Sequence, residues 1–147
     1  MKLRTTRFGE IEVADDKIIN FPEGLLGFAD KKRYTILSGD EDSLFKWLQC
    51  IDDGALAFIT IEPDIFMEKY SLDLSDTDVA ALSIETPSDV HIITLVTVPA
   101  DPSKLSSNLQ GPIVINHRKK LGKQVISTHP DHKLRYFLMN NDKEEEC

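Results

Sequence analysis

A mostly β fold is predicted from the sequence: a small antiparallel β-barrel or barrel-like sandwich with one or two short helices. The first observation is that short runs rich in β-branched and aromatic residues recur along the chain, bounded by Gly, Asp, Asn or Pro. The second is that turn-forming residues separate several runs closely enough for hairpins, which predicts antiparallel neighbours. The third is that only two segments carry helix signals. Many short strands at this spacing are typical of sandwiches and closed barrels.

Strands are predicted wherever such a run occurs. In chain order the runs are GEIEV at 9–13, DKIINF at 16–21, RYTIL at 33–37, FKWLQCI at 45–51, ALAFITI at 55–61, VHIITLVTV at 90–98, PIVIN at 112–116 and KQVI at 123–126. Apolar and polar residues alternate in EIEV, so this strand should have one face in solvent. HIITLVTV is nearly continuous, so its strand should lie centrally and be covered on both faces.

Turn residues lie where a meander of hairpins needs them. They are Phe8–Gly9, Asp52–Gly54 between the fourth and fifth runs, and His117–Gly122 between the last two. One helix is predicted to start at Ser75, because Asp78 three residues later resembles a capping box and VAAL follows. Pro63–Lys69 is predicted to form a further turn or two, because Pro suits the first position of a helix.

The composition indicates one water-soluble domain. The 147 residues are 41% hydrophobic, and a chain of this length buries enough surface for a core that needs neither disulfides nor metal. We expect residues 1–138 to form this domain and the polar segment 139–147 to be a disordered acidic tail. The first residues contain bases but no uninterrupted apolar run, so neither a signal peptide nor a membrane span is predicted, and we expect a cytoplasmic location. Two free thiols, Cys50 and Cys147, are then the simplest interpretation, and a bridge between them is the alternative that nothing in the sequence favours.

Charge is distributed unevenly along the chain. The net charge is -8, yet residues 40–89 alone contain thirteen acids and two bases, a net charge of -11. Two interpretations stay open at this stage. The acidic middle, residues 40–89, serves solubility alone, or it steers cationic partners towards the protein and repels nucleic acid.

Catalytic patterns are present only in contexts that do not favour catalysis. Ser43–Lys46 has the S-x-x-K spacing, but on a predicted strand these side chains point to opposite faces. Asp52–Asp53 precedes Gly54 in a predicted turn, where a solvated hairpin end is the usual structure. His129–His132, HPDH, offers two imidazoles and a carboxylate to a metal, but without further ligands a surface loop is favoured. No catalytic, metal or cofactor site is predicted.

A basic cluster lies between the last two predicted strands, in QGPIVINHRKKLGKQVI at 110–126. Its charges come from Arg118, Lys119, Lys120 and Lys123. It contains no interleaved aromatic residue and no phosphate-binding glycine pattern, so no direct nucleic-acid or nucleotide binding is predicted. We interpret it as a structural hairpin whose charged turn prevents aggregation. A contact with an acidic stretch of a partner, or with RNA, is the minority alternative.

Four segments in order resemble the FliW family of flagellar assembly factors. INFPEGLLGF at 19–28 is similar to its F-P-x-G-[IL]-x-G-F signature, and LQCIDDGALAF at 48–58, IITLVTVP at 92–99 and LSSNLQGPIVIN at 105–116 follow, with GKQVI after the last. Together they span most of residues 3–127. The order of the matches, more than any one of them, carries the resemblance.

The resemblance implies a non-enzymatic partner switch without a cofactor. Members of the family bind the translational regulator CsrA, which antagonises its repression of flagellin mRNA, and alternatively bind newly made flagellin as a chaperone. The partners expected for this chain are therefore CsrA and flagellin, with no membrane and no direct nucleic acid, and the free protein is expected to be a monomer. The rival hypothesis is a small β-barrel ligand-binding protein or enzyme with a polar cavity.

Candidate partner-binding residues come from three features. Acidic residues of the middle would face basic CsrA, apolar residues beside glycines would line a groove for flagellin, and an asparagine would bond a loop backbone. The candidates are Phe21, Pro22, Gly24, Leu25, Phe28, Asp52, Asp53, Asp64, Ile65, Phe66, Asp73 and Asn108. For the apolar ones, packing as a lid over the core is the alternative.

Overall fold

The computed structural model describes residues 1–38, 43–67 and 70–138. The strands are β1 Lys2–Thr5, β2 Gly9–Glu12, β3 Ile19–Asn20, β4 Arg33–Leu37, β5 Phe45–Cys50, β6 Ala57–Ile61, β7 Val90–Thr97, β8 Ser106–Ser107, β9 Ile113–Asn116, β10 Leu121–Gln124 and β11 Tyr136–Phe137. One α-helix, α1, spans Asp76–Ala81, and 3-10 turns occupy Asp15–Lys17, Pro63–Ile65, Pro87–Asp89 and Pro102–Lys104. The predicted tail 139–147 and Cys147 lie outside the described residues.

Seven strands close into a ring, which confirms the mostly β, barrel-like prediction. The order β7-β6-β5-β4-β3-β10-β9 is completed by pairing of β9 with β7. β8 and β11 extend the sheet from β7, and β1 and β2 form a separate hairpin. All pairs in the ring are antiparallel except β3 with β10, which is parallel. A closed ring with an odd number of strands cannot alternate direction throughout, so one such pair is required.

The predicted strand runs are confirmed, with shifts at their ends. The run at 16–21 shortens to β3, because Asp15–Lys17 forms a 3-10 turn. The run at 123–126 moves to β10, two residues earlier, where it pairs with β9 after the turn at 117–120. β1, β8 and β11 were not predicted. β8 consists of two serines and β11 of two residues, so neither has a local strand pattern.

Strand β7 is central in the sheet. The prediction that both of its faces are buried holds only for the residues in the middle of the strand. It pairs with β6, β8 and β9. Ile93 and Thr94 are buried, whereas most other residues of the strand are half-buried. The prediction was wrong for the ends because a strand of a small ring leaves one face towards solvent there. EIEV shows the expected alternation: Glu10 and Glu12 are exposed and Val13 is buried.

The main core fills the ring around two aromatic residues, Phe21 and Tyr34. Both are fully buried, and their rings meet edge to face at 5.2 Å. Gly122 of β10 lies against the Phe21 ring, where a Cβ would come within 2.4 Å of it. Cys50, a free cysteine, is buried in the same cluster, and burial raises the pKa of its thiol. A smaller cluster under α1 contains Leu82, Val114 and Val125.

Helix α1 begins as predicted. The Ser75 side chain accepts a hydrogen bond from the Asp78 backbone N–H at 3.1 Å, which caps the helix. The Pro63–Ile65 turn also forms as predicted. Among the described residues, no helix has the length and apolar content that a membrane crossing requires.

Candidate partner-binding surface

The loop at 21–28 is a core-covering lid with an exposed outer edge. Phe21 and Leu25 are buried at 0% and 2% exposure, and Phe28 packs edge to face against Phe58. Gly24 has φ +66°, and its N–H donates a hydrogen bond to the Phe21 carbonyl at 2.8 Å, which tightens the loop. Packing, the alternative considered for these apolar residues, is what the structure shows for Phe21 and Leu25. Their burial leaves Pro22, Glu23, Leu26 and Gly27 as the accessible part of the loop.

Leu26 is the functional candidate that the sequence did not indicate. Its side chain is 63% exposed, although Leu25 beside it is buried. The Gln124 side chain accepts a hydrogen bond from the Leu26 N–H at 2.9 Å, and Lys123 lies 3.4 Å from Glu23. These residues line a shallow pocket of about 190 Å³ between the loop and β10. A loop lacks the periodic burial of a helix or strand, so the sequence could not predict which of the two adjacent leucines faces outward.

The acidic turn at 52–53 serves the fold as well as the surface. Arg33 forms an ion pair with Asp52 at 2.7 Å, and this hydrogen-bonded guanidinium lowers the pKa of the carboxyl below its ordinary value. Asp53 accepts a hydrogen bond from the Ala55 N–H at 3.0 Å, which shapes the hairpin turn. The predicted turn is therefore confirmed. Asp52 is exposed and Asp53 half-buried.

The basic cluster pairs with the acidic middle. The Arg118 guanidinium contacts both Glu85 and Asp89, with 3.1 Å to the latter, and the Asp89 carboxylate raises the pKa of Arg118. Lys123 lies 2.6 Å from Asp78 of α1, which raises the pKa of Lys123. These pairs connect the β9–β10 hairpin to the segment around α1. They support the structural interpretation of the basic turn.

Other carboxylates of the acidic middle remain exposed. Asp64, Asp73 and Asp76 are exposed and form no ion pair with any residue that the structure describes. The remaining acids at 40–42 and 68 lie outside the described residues. Beside Asp64, Ile65 is 41% exposed, and the Phe66 ring lies 5.3 Å from the Tyr136 ring.

Asn108 holds a turn, as its sequence context predicted. Its side-chain oxygen accepts hydrogen bonds from the backbone N–H groups of Gln110 and Gly111 at 3.1 and 2.9 Å. The residue is half-buried before β9, and Pro112, which follows the turn, is buried. Asn108 therefore shapes the entry to β9.

The HPDH segment forms a ring stack and not a cluster of ligands. The buried His132 ring lies between Tyr70 at 4.3 Å and His129 at 4.6 Å. Ser127 shares a 2.5 Å hydrogen bond with His132 Nδ1. Burial lowers the pKa of His132, with a further contribution from His129. No group of three or more metal-ligating side chains occurs in the part of the chain that the structure describes.

Of the S-x-x-K pair only Lys46 lies on a strand, because β5 begins at Phe45 and Ser43 precedes it. Ser43 accepts a hydrogen bond from the Phe45 N–H, whereas the Lys46 ammonium reaches Ser38 at 3.3 Å. The lysine is therefore not placed to activate the serine.

Comparison with known proteins identifies the family. The model of the family described as FliW protein matches residues 2–138. The chain belongs to the FliW family. A FliW from Natranaerobius thermophilus is 42% identical over 142 residues, which cover 96% of this chain and 94% of that protein. A FliW from Ruminiclostridium cellulolyticum is 38% identical over 147 residues, with 99% of both chains covered. Both relatives carry the name flagellar assembly factor FliW.

A solved FliW has the same fold. The crystal structure of the flagellar assembly factor FliW superimposes with a TM-score of 0.87 at 35% identity, covering 95% of this chain and 97% of that one. The segments that resemble FliW lie on the ring and on the strand that extends it from β7: β3 with its loop, β5 with β6, β7, and β8 with β9. The FliW signature residues thus include the core aromatic Phe21 and the turn-forming Asn108.

Proposed function

We propose that this protein is a non-enzymatic flagellar assembly factor that switches between two partners, the regulator CsrA and flagellin. The observation that carries the proposal is the FliW match along residues 2–138, together with relatives named flagellar assembly factor over nearly their whole length. Binding of CsrA would antagonise its repression of flagellin mRNA, and binding of flagellin would chaperone it. Both binding reactions take place in the cytoplasm in this proposal. The free protein is a monomer in this proposal.

The charge of the chain suits a basic partner. A protein of net charge -8 steers cationic surfaces towards it over about one Debye length, ~8 Å at physiological salt. The candidates for direct contact are Asp64 and Asp73, which are exposed and form no ion pair with a described residue. The turn residues Asp52 and Asp53 are proposed as further contacts. Ion pairs already formed with Arg118 and Lys123 keep those bases from competing for the partner.

The apolar candidates suit flagellin. An amphipathic segment of a partner needs exposed apolar area, and Ile65 supplies it next to Asp64, with the half-buried Phe66 beside it. In the loop at 21–28, Pro22 and Leu26 supply accessible surface. The conformation of the loop is maintained by Phe21, Gly24, Leu25 and Phe28.

Calorimetric titration with purified CsrA and with purified flagellin tests the proposal. We expect binding to each, competition between them, and CsrA affinity that falls as salt rises from 50 to about 500 mM, because the attraction is screened. Asp64→Asn should weaken CsrA binding more than Asp16→Asn, an equal loss of charge at an exposed residue outside the acidic middle. Absence of binding to both partners would refute the proposal.

A further inference from the structure

A second pocket lies between the segment before α1 and the segment after β10. Its volume is about 240 Å³, and it is lined by Ser71, Asp73, Ser127, Thr128 and His129. The residues contribute hydroxyl groups, one carboxylate and one imidazole, so the lining is polar. Neither lysine nor arginine is among these lining residues.

The outward direction of Ser71 and Asp73 follows from the burial of the residues around them. Residues 71–75 alternate between exposed and half-buried. Leu72 and Leu74 pack on the cluster of Leu82, Val114 and Val125 under α1. In an extended segment alternate residues point to opposite sides, so Ser71 and Asp73 face away from the core and line the pocket.

The two walls of the pocket are held together by the ring stack. Tyr70, next to Ser71, stacks on His132, and its hydroxyl donates to the Leu109 carbonyl at 3.1 Å. Burial raises the pKa of Tyr70 to about 12, so this donor keeps its proton at neutral pH. On the other wall, Ser127 accepts a hydrogen bond from the His129 N–H at 3.2 Å and bonds His132. The pocket is therefore preformed in the free chain.

Several acceptors in the pocket are not used by the fold. Asp73 forms no ion pair with a described residue, and the hydroxyls of Ser71 and Thr128 form no hydrogen bond within residues 1–38, 43–67 and 70–138. By contrast, Ser127 is engaged with His132, and His129 Nδ1 accepts a hydrogen bond from the Asp131 N–H at 3.0 Å. One carboxylate and two hydroxyl oxygens remain for a ligand.

We propose that this pocket receives the ammonium group of a lysine side chain from the basic partner protein. An ammonium is compact and donates three hydrogen bonds in dispersed directions, which matches one carboxylate and separate hydroxyl oxygens. A guanidinium is planar and prefers two parallel acceptors on one group. The inference rests on the proposed function for the identity of the partner, but the chemistry of the pocket can be tested without that partner.

The first experiment probes the pocket alone. n-Butylammonium, which has the head and stem of lysine, is titrated into the full chain while backbone amide shifts are followed by NMR, with n-butanol as the uncharged control. We expect saturable shifts at Ser71, Asp73 and Thr128 with n-butylammonium, at least tenfold smaller shifts with n-butanol, and loss of the effect in Asp73→Asn. The same shifts with both compounds, or none with either, would overturn the inference.

The second experiment asks whether the partner uses the pocket. CsrA is titrated into the wild type, Asp73→Asn and the matched control Asp76→Asn, an exposed acid of the same charge outside the pocket. Removing one member of a desolvated charge pair weakens binding by at least about tenfold, whereas the control should stay within about twofold. Equal affinities of the two variants would show that no partner lysine occupies the pocket. If the wild type binds neither CsrA nor flagellin, the proposed function fails, and the n-butylammonium result still decides the chemistry of the pocket.

Discussion

Single residues set the shape of the loop at 21–28. Gly24 combines a left-handed backbone, φ +66°, with close contacts: a Cβ there would lie 2.4 Å from the Phe28 carbonyl oxygen and 2.7 Å from the Ala29 Cα. Gly27 in the same loop has φ +85°, but a Cβ there would meet nothing within 4 Å. A side chain at position 27 would therefore meet backbone strain alone, whereas a side chain at position 24 would meet both backbone strain and crowding.

Alanine substitutions at these glycines should differ in cost. Gly27→Ala is expected to lower the free energy of unfolding by about 1 kcal/mol, because an L-residue in a left-handed conformation is strained. Gly24→Ala should lose more than about 2 kcal/mol, because overlap with the backbone adds to that strain. Urea denaturation of both variants and the wild type measures the difference. Equal losses would show that the loop relaxes away from the contact.

The F-P-x-G-[IL]-x-G-F pattern contains both glycines, and both have positive φ in the structure. The sequence could not assign the two leucines of the same loop. Leu25 faces the core and Leu26 faces solvent, because the lid must cover Tyr34 and its neighbours on one side only. That direction depends on where β3 and β10 meet, about 100 residues apart in the chain.

At the scale of elements, polar side chains connect the turns to the ring. Asp89 accepts hydrogen bonds from the Glu85 and Thr86 N–H groups at 3.0 and 3.2 Å and from Arg118 at 3.1 Å. The Asn116 amide donates to the Leu82 carbonyl at 2.8 Å, which ties β9 to the end of α1. These bonds explain why a short helix with six residues stays on the ring.

The Asp89 cluster should make stability depend on pH. The Arg118 hydrogen bond holds the pKa of Asp89 well below its ordinary value of 3.8. A lowered folded-state pKa means that the contribution is complete above the unfolded value and is lost as pH falls below it. The difference in free energy of unfolding between the wild type and Asp89→Asn should therefore be full at pH 7 and shrink below about pH 4.

Urea denaturation at pH 7, 5 and 3 measures this difference. Asp16→Asn, an exposed carboxylate without an ion pair to any described residue, is the control and should show a difference near zero throughout. A wild-type advantage over Asp89→Asn that stays constant down to pH 3 would contradict the assignment.

At the scale of the whole molecule, the ring has one narrow seam. β5 and β6 share five paired positions, whereas β3 and β10 share a single one, Leu121 with Asn20. The Asn20 N–H donates to the Lys120 carbonyl at 2.9 Å, and the Gln124 side chain adds a bond to the loop. Fewer backbone bonds across a closing pair make it the place where the ring opens most easily.

Hydrogen exchange should show this seam. The amide of Asn20 is expected to exchange with a lower opening free energy than that of Cys50, which donates to the Leu56 carbonyl at the same 2.9 Å. Native-state exchange followed by NMR at increasing denaturant gives both values. Identical opening energies would show that the ring unfolds only as one unit.

The sequence by itself determined most of the strands, the hairpin turns, the capped helix and the FliW family, because each depends on neighbouring residues or on the order of motifs. Only the tertiary structure decided the parallel seam, the outward Leu26, the pairing of the acidic middle with Arg118 and Lys123, and the Tyr70–His132 stack beside Asp73. Each of these joins residues tens of positions apart. Local patterns carry no information about such partners, since closure of the ring brings them together.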